Sequence, residues 1–97
     1  MNQQQIMRIK KMQKQMMEAQ EKLESTVFTG TAGGGAVAVE VRGDHEVVSV
    51  KIDPEALEDD VEMVQDMIVS ALNDANKKIE AESQKLLGGF GGGMGLF

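Results

Sequence analysis

Apolar residues return every three or four positions over the first quarter of the chain. Ile6, Ile9, Met12, Met16, Ala19 and Leu23 fall on one stripe of a helix, with Gln, Lys and Glu filling most of the positions between. The spacing predicts a helix over residues 2–24, ending near Ser25-Thr26, where β-branched residues begin and the period changes. The period then drops to two. Thr26 to Thr29 reads as a short strand broken by Gly30 and by Gly33-Gly34-Gly35. Val37, Val39 and Val41 alternate with Ala36, Ala38, Glu40 and Arg42, as in a half-buried strand. After a turn at Gly43-Asp44, Val48, Val50 and Ile52 alternate with Val47, Ser49 and Lys51 in a third strand.

Asp53-Pro54 stops the third strand and can open a helical turn, and Asp59-x-x-Glu62 has the spacing of a capping box. A helical stripe follows in Val64, Ile68, Leu72, Ala75, Ile79 and Leu86, flanked by Val61 and Ala71 and interrupted by Glu82. The expected class is therefore α+β: a long helix, a three-stranded antiparallel meander and a second long helix. Residues 1–87 are expected to form one domain, and the glycine-rich residues 88–97 a disordered tail. A helix of about 23 residues is a rod of roughly 35 Å, longer than so small a domain is wide. One three-stranded sheet cannot cover two such rods. Projecting arms, burial against a second copy, or both must follow, and a homodimer with projecting helical ends satisfies both.

Composition narrows the chemistry. Of the 97 residues only three are aromatic, eight are Met and none is Cys. Disulfides, thiolate metal sites and cysteine nucleophiles are excluded, which fits a reducing cytoplasm. No apolar run approaches the roughly 20 residues that span a bilayer, and the N-terminus lacks the apolar segment of a secretory signal, so a cytoplasmic protein without membrane contact is expected.

Charge changes the picture more. The net charge is −6, yet the first seventeen residues carry Arg8, Lys10, Lys11 and Lys14 and no acid. The acidic excess lies chiefly between Asp53 and Asp66, where seven carboxylates have no basic neighbour. On a helical wheel Lys10, Lys11, Lys14 and Lys22 spread opposite the apolar stripe, with Arg8 at its margin. Lys77, Lys78 and Lys85 form a second cluster on the other helix, which antiparallel or dimeric packing could bring near the first. A run of like charge is usually a solvated face, but a face built for solubility would mix signs. Asn2, Gln3, Gln4, Gln5, Gln13 and Gln15 add amides suited to phosphate and sugar contacts. Without interleaved aromatics, duplex backbone is the better target than unpaired bases.

The other candidates are weak. The acids from Asp53 to Asp66 lack the alternation and glycine of a calcium loop and suit helix capping instead. Gly33-Gly34-Gly35 precedes a strand, has no following Lys-Ser/Thr, and is a hairpin connection rather than a phosphate loop. Arg42-Gly43-Asp44 reads as a polar turn, and His45 beside it has no partner for a triad or metal site. Neither a cofactor nor a catalytic constellation emerges, so an enzyme is not expected. Met7 and Met17 lie off the apolar stripe and support a second reading, an adaptor whose helices dock a recombination or replication protein.

The stretch Val47-Val48-Ser49-Val50-Lys51-Ile52-Asp53-Pro54-Glu55-Ala56-Leu57 is the most specific feature. With Asp60-Val61-Glu62-Met63-Val64-Gln65-Asp66-Met67-Ile68 and Asn73-Asp74-Ala75, it resembles the YbaB/EbfC family of bacterial nucleoid-associated proteins, over nearly the whole chain. The turn Gly43-Asp44-His45-Glu46 departs from that family's more glycine-rich hairpin. The resemblance implies a tweezer-shaped homodimer of α-β-β-β-α protomers gripping duplex DNA, with little catalytic activity and limited sequence preference. It implies a role in nucleoid organisation and gene expression, and recombination or replication proteins as possible partners. The helices it assigns to DNA contact correspond to residues 2–24 and 60–86; the choice of Arg8, Lys10, Lys11, Lys14, Lys22, Lys77, Lys78 and Lys85 within them rests on charge.

Overall fold

In the computed structural model, which describes residues 2–58 and 60–90, the order of elements is α-β-β-β-α. Helix α1 spans Gln3–Ser25, strands β1, β2 and β3 span Val27–Ala32, Val37–Arg42 and Val47–Ile52, and helix α2 spans Val61–Phe90. Short 3-10 turns at Gly33–Gly35 and Pro54–Glu58 complete the connections. The strands form one antiparallel sheet in the order β1-β2-β3.

The valines of β2 are its inner face. Val37, Val39 and Val41 are fully buried and pack with Ala71, Ala75 and Ile79 of α2. Phe28, Ala32, Ile52, Met67, Ile68 and Leu72 close around them. Strand β1 does not break at Gly30, contrary to the sequence expectation. Gly30 pairs with Val39 inside the strand, and a methyl group there would overlap the Ala71 carbonyl and the Ala75 backbone nitrogen. Glycine on the strand opposite alanines on the helix lets the two backbones approach closely, which is a tertiary use of the residue.

The third strand carries a second departure. Val41 pairs with Val47 but Glu40 pairs with Ser49, so Val48 is an extra residue in the ladder. This β-bulge puts Val47, rather than Val48, on the same face as Val50 and Ile52. Helix α2 lies over β1 and β2, leaving Val47, Val48 and Val50 about half exposed on the β3 side.

Two boundaries also move. The side chain of Asp60 accepts from the Glu62 amide at 3.2 Å and its carbonyl accepts from Val64, so Asp60 caps α2. Asp59 lies outside the described residues. At the other end α2 runs through Gly88 and Gly89 to Phe90, past the tail boundary expected at Gly88. A helix already propagating tolerates two glycines at a cost of about 1 kcal/mol each, whereas two glycines would not start one. The rest of the expected tail, residues 91–97, lies outside the described residues.

Candidate nucleic-acid interface

Helix α1 is held at its two ends by different means. Its start is a reciprocal capping box: the Gln5 amide donates to Asn2 Oδ1 at 2.8 Å, and the Asn2 amide donates to Gln5 Oε1 at 3.3 Å. The cap uses only the side-chain oxygens of Asn2 and Gln5 as acceptors, so it does not engage the NH2 groups that a phosphate would accept from. At its end Thr26 Oγ1 and Ser25 Oγ both donate to the Lys22 carbonyl, at 2.6 and 3.1 Å. Gly43 supports that end from below. It is buried, its amide donates to the Thr26 carbonyl at 2.9 Å, and a Cβ there would strike the Leu23 carbonyl.

Only Leu23 of α1 is buried, and Ala19 is half-buried. The other stripe residues, Ile6, Ile9, Met12 and Met16, are 39–43% exposed. The helices pack antiparallel: Leu23 lines one groove with Ile79, and Ala19 lines the next with Leu86. The first four turns of α1 thus leave the body as an arm, and the molecule measures 67 × 25 × 15 Å.

Arg8, Lys10, Lys11 and Lys14 are exposed on this arm and make no ion pair among the described residues. The nearest acid in sequence is Glu18, one turn beyond Lys14. Their field is therefore uncancelled locally, whatever the net charge of the chain. Lys22 stands at the root of the arm, on the rim of the groove that also holds Glu82 and Leu86.

The second cluster is different. Lys78 Nζ donates to the Thr29 carbonyl of β1 at 2.6 Å and lies 3.5 Å from Asp74. Asp74 in turn accepts from the Thr31 amide at 3.0 Å. That amide chiefly, with Lys78 and Lys77 nearby, holds the Asp74 carboxyl below its ordinary range. Lys78 and Asp74 thus tie α2 to β1. Lys85 lies 3.9 Å from Glu82 on its own helix, and Lys77 is exposed with no ion pair among the described residues. Within one protomer the antiparallel packing sets the second cluster level with Lys22, at the root of the arm, and not with Lys10 and Lys11. Lys77 and Lys78 sit near the level of Leu23, about 20 Å along the helix from Lys10.

Of the carboxylates between Asp53 and Asp66, Asp53 and Asp60 cap helix starts. Asp53 Oδ1 accepts from the Glu55 amide at 3.0 Å and its carbonyl from Ala56, as Asp60 does for α2. Among the described residues no three His, Cys, Asp or Glu converge on a point that could hold a metal ion, and no helix is long and apolar enough to cross a membrane. His45 has a structural task that its position in the sequence hid. With φ at 71°, it turns the β2–β3 hairpin and places Nδ1 3.2 Å from Asn76 Oδ1 of α2.

This is the architecture of a small α+β protein with a projecting, locally cationic helix, a form suited to a polyanionic partner. The sequence profile of the YbaB/EbfC DNA-binding family matches residues 1–94, and the chain belongs to that family. It is 45% identical to a nucleoid-associated protein of Chloroflexus aurantiacus, with all of both chains covered. A nucleoid-associated protein of Lachnospira eligens is 56% identical over 84 residues, 80% of this chain and 72% of that protein. The fold matches the crystal structure of an uncharacterized protein from Helicobacter pylori at a TM-score of 0.70 and 36% identity, over 89% of this chain and 92% of that one.

Proposed function

We propose that this protein binds duplex DNA as a homodimer, chiefly through phosphate contacts from its α1 arms, and acts in the nucleoid on DNA organisation and gene expression. The observation that carries the reading is the arm itself: four exposed cations, no ion-pair partner among the described residues, and no acid before Glu18. Membership of a DNA-binding family and relatives named nucleoid-associated proteins support the choice of DNA among polyanions. Lys22, Lys77 and Lys85 supplement the arm from the body. Lys78, tied to Thr29 and Asp74, contributes least.

A second copy is supported by Val47 and Val50 of β3, which are half-exposed and share the inner side of the sheet but have no helix above them. Burying each recovers on the order of 1 kcal/mol or more, and two linked arms raise the effective concentration of each at the duplex. With roughly three or four phosphates neutralised per protomer, counterion release gives modest affinity that falls steeply with salt. The test is an anisotropy titration on a short duplex at two salt concentrations, with an unpaired strand as control. Replacing Lys10, Lys11 and Lys14 by Glu is expected to abolish binding at moderate salt; salt-insensitive binding, or full binding by that variant, would sink the mechanism.

Met7 and Met17, 68% and 65% exposed, favour a second reading in which the arm docks a recombination or replication protein. Changing both to Gln separates the readings. Loss of a protein partner with DNA affinity intact supports the adaptor, and an unchanged partner profile removes it.

A further inference from the structure

The cationic arm and the carboxylates at the start of α2 lie toward opposite ends of the molecule. Leu23 and Ile79 line one groove, which sets the level at which the antiparallel helices meet. Lys10 lies thirteen residues out along α1 from that level and Asp66 thirteen residues back along α2, so about 40 Å of helix separates them. Neither end supplies its own counter-charge. Glu55, Glu58, Asp60, Glu62 and Asp66 are exposed and, like the arm cations, make no ion pair among the described residues.

Both ends also expose methionine. Met63 of α2 is 54% exposed, and with Met67 it lines two adjoining grooves against Gly33 of the β1–β2 connection. Glu62 and Asp66 rim the first groove, and Asp53 and Glu55 the second. On α1, Met7, Lys10, Lys14 and Met17 recur at spacings of three and four and share one face, with Lys11 at its edge. That face is separate from the stripe running from Ile6 to Met16.

We propose that the Met7–Met17 face of the arm docks on the acidic methionine groove of a second copy, head to tail. Reach excludes docking within one chain, because α1 is a continuous helix that leads away from the groove. Charge selects the occupant: a second arm would repel the first, whereas the groove offers carboxylates to Lys10 and Lys14. Methionines on both surfaces supply adaptable apolar contact between those charges, as when a basic amphipathic helix enters a groove. In a further step that rests on the nucleic-acid reading, the groove stands in for phosphate, so a docked arm is withheld from the duplex.

The chain has no cysteine, so Gln15→Cys takes a single spin label outside the docking face. Labelled full-length molecules, mixed with isotope-enriched, label-free ones, should broaden the enriched amides of residues 62–67. The broadening should fall at about 1 M salt, where the screening length is about 3 Å. It should disappear when the enriched molecules carry Glu62→Gln and Asp66→Asn. It should return when labelled molecules with Lys10→Glu and Lys14→Glu meet enriched ones with Glu62→Lys and Asp66→Lys. Absence of broadening at residues 62–67, or broadening that survives the neutral variant, would overturn the docking. A short duplex added to saturation should then erase the broadening, and its persistence on a bound duplex would overturn the competition. A duplex that does not bind sinks the nucleic-acid reading and the competition with it, while the DNA-free samples still decide the docking.

Discussion

Gly30 and Asp74 look alike in the sequence, as minor polar punctuation, and the structure gives each a fixed task. At Gly30 the β1 backbone lies against Ala71 and Ala75 so closely that Gly30→Ala requires strand and helix to separate. The overpacking should cost about 1–3 kcal/mol, read as a lower urea midpoint with an unchanged slope. Asp74 offers a pH test. Its carboxylate is stabilised in the fold by the Thr31 amide, so its folded pKa lies below the ordinary 3.8. A depressed acid contributes stability above its unfolded pKa and loses it as pH falls through the folded value. The Thr31 amide resonance should therefore titrate with a midpoint below 3.8, and Asp74→Asn should remove that step from the acid limb. Neither role can be read locally, since each depends on a residue more than forty positions away.

At the scale of elements, α1 and α2 follow their periodicities closely, and their ends follow chemistry. The Asn2–Gln5 box starts an arm with no tertiary support, so Asn2→Ala should cost about 1 kcal/mol and fray the first turns. Amide exchange at residues 3–8 would register it while the sheet amides stay protected. Gly88 is the reverse case. It is helical with open space around it, so Gly88→Ala should extend α2 and stabilise it by about 0.8–1 kcal/mol, visible as added helical dichroism. An unchanged spectrum would place the end of α2 before Gly88. The strands were legible as elements but less so in register. Strict alternation over 47–52 predicted Val48 on the inner face, and the bulge moves Val47 there instead.

For the whole molecule, the unfilled inner side of β3 leads to the largest expected effect. Val50 is 46% exposed among the otherwise buried partners of Val39. A lysine there would charge the proposed contact with a second copy. Val50→Lys should shift the protein from dimer to monomer in sedimentation and weaken DNA binding more than the loss of any single arm lysine, because the proposed mode of binding uses two linked arms. A dimer that survives the change would move the interface elsewhere.

The chain by itself determined the order of elements, the apolar stripe of each helix, the inner face of β2 and the cationic, acid-free start of α1. These are local properties, set by periods of two and 3.6 and by which charges are neighbours in sequence. Only the tertiary structure decided that Gly30 lies within a strand, that Val48 is a bulge, that Lys78 binds the fold and that Lys77 and Lys78 sit level with Lys22 at the root of the arm. Each of those depends on how closely α2 approaches the sheet and at what level it meets α1. Such distances are fixed by packing between residues remote in sequence, which no local pattern encodes.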